Sequence, residues 1–366
     1  MNNYELMTHK LQEVIGGAYL DELIQQQIPL NGYWGTEPSG TIHIGYLLCF
    51  AKIRDCVNAG ANITILLADI HAFLNAKCPF EKISFRTEYY EKIITAVLKK
   101  MNVDMSKIKF VKGSSYQLTP EFTMDRLKMG DIINVSRAKK AASEVVKLSN
   151  NPTLNSLEYP IMQALDQHYL NTNFELSGID QRKVFGLAIE IMSKIGYCSR
   201  YCYLMNSIIP GISRKARACS DTNGANGAND IEMDIENKMS ASDDSSKIDL
   251  LYEPDKILKI INKAYCLDGD VDDNSLLRII KDIVFALSTE FSIVKYDKQT
   301  NNLINIKTYM DYDALYIDVA KGSKNGGIHP ADLKYSLSEY FIQFLRPIRD
   351  EFDTIEGKEL LSNAFS

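Results

Sequence analysis

The chain has 366 residues, 45% of them hydrophobic, and a formal net charge of -6. At roughly 100–200 residues per domain this length predicts two domains, and the apolar fraction excludes a globally disordered chain. The acidic balance excludes a generally basic nucleic-acid coat but leaves room for a local basic patch.

In chain order, residues 4–28 read as one helix, with Leu6, Leu11, Val14, Ile15, Leu20, Leu23 and Ile24 roughly on one face. A strand and turn follow around Gly32-Tyr33-Trp34-Gly35, and a helix is predicted from about His43 to Val57. The bounded apolar run Ile63 to Leu67 fits a buried parallel strand. A helix is predicted over 80–100, a strand at Ile108 to Val111, and helices through 119–147 and 156–170. Strands at Phe174 to Leu176 and Tyr201 to Leu204 flank a helix that starts at Gln181. Strands alternating with helices predict an α/β domain with a Rossmann-like parallel sheet, whose ligands sit beyond the carboxyl ends of the strands. Residues 213–237 carry a Gly-Ala-Asn near-repeat without apolar periodicity and read as a flexible insertion. Beyond about residue 247 helices dominate, at 254–266, 274–287 and 331–350, with 291–327 irregular or partly extended. The expected division is a catalytic domain over 1–246 and a mainly α-helical domain over 247–366.

Seven cysteines, Cys49, Cys56, Cys78, Cys198, Cys202, Cys219 and Cys266, are odd in number and show no CxxC spacing. That argues against a structural zinc and for a reducing, cytoplasmic setting. Met1 to Lys10 is polar, with no signal-peptide core, and no apolar run reaches the length of about 18 residues that a membrane span needs. There is no P-loop, no GxGxxG and no HExxH, so kinase, dinucleotide-enzyme and metal-hydrolase readings lack their signatures and no metal ligands are expected.

Two segments carry chemistry. Pro38-Ser39-Gly40-Thr41-Ile42-His43-Ile44-Gly45-Tyr46 lies at a strand-to-helix junction. Unpaired N–H groups and the positive dipole end of a helix suit phosphate there, and glycines permit close approach. Taken alone, it is also what any glycine turn before a helix looks like. Lys238-Met239-Ser240-Ala241-Ser242 places a lysine among small hydroxyl residues on a polar loop, able to neutralise a triphosphate or merely to link domains.

Together these segments resemble the HIGH and KMSKS signatures of class I aminoacyl-tRNA synthetases. Tyr33-Trp34-Gly35-Thr36, Leu67-Ala68-Asp69-Ile70-His71-Ala72, Tyr159-Pro160, Gln163-Ala164-Leu165-Asp166, Gly178-Ile179-Asp180-Gln181-Arg182-Lys183 and His329-Pro330-Ala331-Asp332-Leu333-Lys334 narrow the resemblance. They are similar to the tyrosyl-tRNA synthetases of eukaryotic and archaeal type, over roughly 4–350 apart from the insertion. The resemblance implies an enzyme that uses L-tyrosine, ATP and tRNA(Tyr), acts as a homodimer and carries magnesium mainly on the ATP phosphates. Tyr33 and Asp166 would hold the phenolic hydroxyl, and Tyr159, Gln163 and Gln181 the ammonium. Gly35, Gly40, His43, Gly178, Asp180 and Lys238 would bind ATP, with His43, Gly45, Lys238, Ser240 and Ser242 acting in catalysis. Asp69 and His71 would be supporting or helix-capping residues. Arg182 would meet the acceptor stem, and His329 and Asp332 the anticodon, in a C-terminal anticodon-binding domain.

The residues support part of this independently. Tyr159, Gln163 and Asp166 are spaced i, i+4, i+7 and share a helix face, although a solvated stripe has the same spacing. If that face is buried, the polar groups need partners, and phenylalanine in place of tyrosine would leave them unpaired; tyrosine enzymes are the standing example of that selectivity rule. The sequence departs from the signatures at Tyr46, where a second histidine is usual, and at Ala241, where a second lysine is usual. A tryptophanyl-tRNA synthetase has the same architecture, but a tyrosine hydroxyl requires an acceptor such as Asp166. A non-catalytic RNA-binding paralogue is opposed by the intact His43, Lys238, Asp166 and Gln181. Lys128, Arg137, Lys139, Lys140 and Lys147, against Asp131 and Glu144, form a local basic stretch that suits phosphate contacts or a solvated face.

Overall fold

Six strands form a single sheet in the order β1-β6-β5-β2-β3-β4. They are β1 (Glu13–Ile15), β2 (Asn31–Thr36), β3 (Asn62–Leu67), β4 (Ile108–Lys112), β5 (Phe174–Gly178) and β6 (Cys202–Asn206). All neighbours are parallel except the short edge pair β1–β6. A computed structural model describes residues 1–75, 77–146, 151–212, 238–239, 247–272, 274–297 and 302–366. The insertion 213–237, Ser240, Ala241, Ser242, Cys219, Lys147 and residues 298–301 lie outside the described residues.

β2 and β5 are neighbours in space but far apart in sequence, because the chain runs outward through β3 and β4 before returning beside β2. That reversal opens a crevice beyond the carboxyl ends of β2 and β5, the usual ligand position in such sheets. The strands are nearly continuous apolar runs because helices cover both faces: Ile63, Ile65 and Leu67 on β3 and Phe174 and Leu176 on β5 are buried. The helices that concern the site are α1 (Asn3–Thr8), α2 (Gly17–Gln25), α3 (Tyr46–Asn58), α4 (Asp69–Leu74), α5 (Ile83–Lys100), α6 (Pro120–Ile132), α7 (Val135–Ala142), α8 (Leu154–Tyr169) and α9 (Arg182–Ile191). Threonine side chains at positions 119 and 153 accept backbone N–H groups and cap α6 and α8.

Two expectations are corrected here. The helix expected over 4–28 is α1, then β1, then α2. Val14 and Ile15 are drawn into antiparallel pairing with β6, and Gly16 turns the chain at φ +80°, where a Cβ would lie 2.2 Å from the Tyr201 carbonyl oxygen. The helix expected from His43 begins at Tyr46, because residues 42–44 bond instead to the backbone of residues 248–250.

The chain forms two compact units that do not follow it linearly: Met1–Gly40, Lys52–Ile208 and Ile355–Ser366 make one, Thr41–Ala51 and Ile209–Thr354 the other. The chain passes between the two units at 40/41, 51/52 within α3, 208/209 and 354/355. In the first unit the C-terminal helix (Ile355–Phe365) packs on α5, with Phe365 edge-on to Tyr89 at 4.9 Å and Arg86 donating to the Ala364 carbonyl at 2.9 Å. In the second unit, helix α10 (Pro254–Lys263) packs against a long helix (Pro330–Asp350). The segment expected to be irregular or partly extended holds an antiparallel hairpin, β7 (Phe291–Asp297) and β8 (Asn302–Tyr309), and a helix (Tyr312–Ala320). At the hairpin's register shift the Val294 N–H finds its acceptor in the Ser336 hydroxyl, 2.8 Å away.

Gly32 lies opposite Phe174 in the β2–β5 register, and a Cβ there would lie 2.2 Å from the buried Phe174 ring. Gly32→Val is expected to lower stability by about 1–3 kcal/mol through overpacking, read as a fall in the urea midpoint at constant m-value.

Candidate active site

Tyr33, in the middle of β2, and Glu175, on β5, stand side by side in the sheet register, with Tyr203 next on β6. Residues in register on parallel strands share a face, so the three side chains meet α8 together. From α8, Gln163 donates to Glu175 at 3.3 Å and to Gln181 at 3.1 Å, while Gln167 accepts from the Tyr203 hydroxyl at 2.8 Å. The i, i+4, i+7 face of α8 is therefore turned inward: Asp166 is 1% exposed and Tyr159 is buried. Gly178 ends β5, and Asp180 is buried in the short 3-10 turn that carries Gln181 into α9. Thus Tyr33, Tyr159, Gln163, Asp166, Gly178, Asp180 and Gln181 are brought into one unit, around the carboxyl ends of β2 and β5.

Asp166 is the best-held acidic group. Its Oδ1 accepts from the Tyr116 hydroxyl and from Gln117 Nε2, each at 2.7 Å, and His71 Nε2 lies 3.9 Å from its Oδ2. His71 is set edge-on to the Tyr159 ring at 4.7 Å and meets Gln117 Nε2 at 3.4 Å. Asp69 accepts both the Ser114 N–H at 2.8 Å and the Ser114 hydroxyl at 2.5 Å, tying the turn after β4 to the start of α4. That turn includes Gly113, where a Cβ would lie 2.6 Å from Gln117 Oε1 and 3.0 Å from Asp69 Oδ1. Asp69 and His71 thus support the shell behind Asp166. Tyr116, Gln117, Glu175 and Glu37, whose charge bears on the Tyr159 hydroxyl, lie outside the sequence motifs. They come from separate loops and strands and carry no local spacing signal; polar residues just past strand ends were the one general pointer.

The electrostatics follow from burial. Burial pushes the Asp166 carboxyl up to about 6, against the pull of His71, Tyr116 and Gln117. Burial likewise pushes Glu175 up to about 8, opposed by the neighbouring Tyr33 hydroxyl and by Gln163 and reinforced by the charge on Asp166. The Tyr33, Tyr116 and Tyr159 phenols are pushed well above their ordinary value and stay neutral donors. The Tyr33 hydroxyl is buried and makes no hydrogen bond of normal geometry, with Glu175 as its main electrostatic neighbour among the carboxylates. Gln163 Oε1 is likewise a buried acceptor without a partner.

The signature residues lie in the second unit. His43 pairs antiparallel with Asp249, the Ile44 N–H donates to the Ile248 carbonyl at 2.9 Å, and the Leu250 N–H donates to the Ile42 carbonyl at 3.0 Å. Lys247, 2% exposed, donates to the Thr41 hydroxyl at 2.8 Å. Lys238 pairs with Pro210, and the Met239 N–H donates to the Ile209 carbonyl at 2.8 Å. His43 Nδ1 accepts the Gly45 N–H at 3.2 Å, which leaves its proton on Nε2. Burial, with Lys247 and Lys238 nearby, lowers the His43 pKa to about 3, so the ring is neutral at physiological pH. A Cβ on Gly45 would lie 2.9 Å from that ring. Gly40 occupies the bend between β2 and α3, and Gly35 lies on β2.

The RNA-facing expectations meet residues already engaged. Arg182 is bound through Nε at 2.7 Å and a terminal nitrogen at 3.0 Å to Glu13. His329 caps its helix, Nδ1 accepting the Ala331 N–H at 3.1 Å, and Asp332 lies in the first turn of that helix. In the basic stretch, Lys128 is paired with Asp125 at 2.8 Å and Arg137 with Glu190.

The unfolded chain holds the Asp166 proton less tightly than the fold does, the ordinary value being 3.8. Stability from this group is full below about pH 4 and is lost as pH rises through 6. Asp166→Asn keeps an Oδ1 for Tyr116 and Gln117 but removes the buried charge. It is expected to raise unfolding free energy at pH 8 by up to about 3 kcal/mol and to change it little at pH 4, measured by urea titration at both values.

Residues 25–346 match the model of a family described as class I tRNA synthetases (W and Y). A probable cytoplasmic tyrosine–tRNA ligase of Vairimorpha ceranae is 40% identical over 362 residues, covering 99% of this chain and 97% of the other. A cytoplasmic tyrosine–tRNA ligase of Xenopus laevis is 36% identical over 99% of this chain, which spans 62% of that relative's length. The crystal structure of an Archaeoglobus fulgidus tyrosyl-tRNA synthetase complexed with L-tyrosine is 32% identical, with a TM-score of 0.79 over 95% of this chain and 98% of the other. With its parallel sheet, its inward-facing polar stripe on α8 and its two signature segments, the chain belongs to the class I tRNA synthetase family of tryptophan and tyrosine enzymes, among the tyrosyl-tRNA synthetases.

Proposed function

We propose that this chain activates L-tyrosine with ATP to tyrosyl-adenylate and pyrophosphate, then transfers the tyrosyl group to the 3′-terminal adenosine of tRNA(Tyr). The observation that carries the reading is Asp166: a buried acceptor, fixed by Tyr116 and Gln117, in one pocket with an unpartnered Tyr33 hydroxyl. A phenolic hydroxyl donates to Asp166 and accepts from Tyr33. Phenylalanine offers neither bond, and an indole N–H could satisfy only the acceptor. Tyr159, Gln163 and Gln181 receive the ammonium.

The tyrosine carboxylate is ionised at neutral pH and attacks the α-phosphorus in line without a general base. Rate then comes from positioning and from stabilising charge on the phosphates. Neutral His43 donates its Nε2–H to a phosphate oxygen, Gly45 leaves room for it, and Lys238 with Ser240 and Ser242 neutralises the departing pyrophosphate. Gly35, Gly40, Gly178 and Asp180 hold the nucleotide. Magnesium, held mainly by the ATP phosphates, would help to neutralise their charge. In the second step a ribose hydroxyl of the tRNA attacks the carbonyl of the mixed anhydride and AMP leaves. Arg182 meets the acceptor stem after exchanging Glu13 for RNA, and His329 and Asp332 meet the anticodon, where unpaired bases are read by stacking and hydrogen bonds. The relatives named above are cytoplasmic ligases, and the same location is proposed here.

A homodimer is part of the reading. Leu118, Met124, Leu127 and Val135 are exposed apolar side chains on and beside α6, a cluster of the kind that marks an association surface. Light scattering is expected to give twice the chain mass, and Leu127→Glu to reduce it to the chain mass. A monomer at working concentration would remove this part.

The decisive assay is ATP–pyrophosphate exchange without tRNA, with tyrosine, tryptophan and phenylalanine in turn. Exchange is expected with tyrosine alone, and none with any of them would overturn the reading. Asp166→Ala is expected to lose tyrosine binding while ATP binding survives; parallel loss of both would make Asp166 a structural residue.

A further inference from the structure

Glu175 is a buried carboxylate that the signature motifs do not include. It lies in the middle of the sheet, 3% exposed, between Tyr33 on β2 and Tyr203 on β6. Among the described residues no lysine, arginine or histidine forms an ion pair with it, and the one charge that bears on it, Asp166, is of the same sign. A carboxylate in that position is costly unless a cation or several donors meet it. Besides the neighbouring Tyr33 hydroxyl it has Gln163, whose Nε2 donates to Glu175 Oε1 at 3.3 Å and to Gln181 Oε1 at 3.1 Å. With both amide hydrogens engaged by oxygen acceptors, the Gln163 Oε1 is left as a buried acceptor with no partner.

This arrangement has a direction. An amide side chain can turn over and exchange its donor and acceptor ends, but an ionised carboxylate can only accept. Once a bound cation favours its ionised form, Glu175 therefore fixes which end of Gln163 faces it, and a glutamine in its place could accept or donate and would fix nothing. The end left over is an acceptor, matched to a cationic donor. We infer that Glu175 is a positioning residue for the substrate ammonium, holding Gln163 with its Oε1 toward the ligand and placing a negative charge behind it. The inference rests on the tyrosine-pocket reading and deepens it. Burial holds Glu175 up to about 8 in the pocket without ligand, as expected of a carboxylate still lacking its cation; a bound ammonium supplies one.

The test is binding of three ligands to the full chain and to Glu175→Gln, which keeps size and shape. The ligands are tyrosine, tyramine and 3-(4-hydroxyphenyl)propionate, which lacks the ammonium, each measured by calorimetry. Glu175→Gln is expected to lose roughly ten- to hundredfold in affinity for tyrosine and tyramine, the range of a hydrogen bond to a charged group, with the propionate affinity within about twofold. Glu175→Asp, which retains the charge, is expected to recover part of the loss, and it carries the same ligand comparison should Glu175→Gln not fold. Equal losses for all three ligands would make Glu175 a packing residue and overturn the inference, as would unchanged affinity for all three. Failure of the unaltered protein to bind any phenolic ligand would instead remove the tyrosine-pocket reading itself.

Discussion

Asp166 and Glu175 are taken out of water beside one another, in a unit whose described side chains give neither a lysine nor an arginine. Ionised carboxylates are tolerated in such a place only with donors in fixed positions. The surroundings of the pocket can be understood as the means of supplying them. Tyr116 and Gln117 converge on Asp166, and Gln117 is held near His71. The turn that carries them is pinned by Ser114 on Asp69, and it closes this tightly because position 113 has no side chain. Glu175 receives Gln163. Polar groups that a packed core would otherwise reject are thereby retained at a cost in stability.

The parallel sheet makes the convergence possible. Consecutive strands would not bring residues 33 and 175 together; the chain does so by returning beside β2 after completing β4. Because parallel strands point the same way, their carboxyl ends gather the loops that follow them on one side. Glu37, Asp69, Gly113 to Gln117 and Gly178 to Gln181 all follow strand ends. The second unit solves a different problem. Its two signature segments are stitched by backbone bonds, residues 42–44 to 248–250 and residues 209–210 to 238–239, so their side chains need not hold the segments in place. The same economy sets the His43 tautomer: one ring nitrogen is spent on the Gly45 N–H and the other keeps its proton.

The residues proposed to meet RNA are already engaged within the chain. Arg182 is clasped by Glu13 and half exposed, and such a surface pair adds little stability. Glu13 holds the guanidinium in an ordered orientation that RNA phosphate or bases could take over. His329 is engaged as a helix cap, a role that places it at the start of its helix whether or not RNA is present.

The sequence by itself determined the α/β class, most strand positions, the two signature segments and the shared face of Tyr159, Gln163 and Asp166. These are properties of short range: an apolar run, a glycine turn, a helical spacing. It also determined the family, because several motifs stand in one order. Tertiary structure decided whether that face of α8 was wet or buried, since spacing is the same either way. It brought in Tyr116, Gln117, Glu37 and Glu175, which no local pattern marks because their partners lie on other strands. It broke the expected first helix, where the edge of β6 claimed residues 13–15, and it delayed α3, where residues 42–44 bonded to a segment some two hundred residues away. It also made the compact units discontinuous along the chain. The physical reason is the same in each case: local periodicity states which face is apolar, whereas long-range backbone pairing and the needs of buried polar groups state what that face meets.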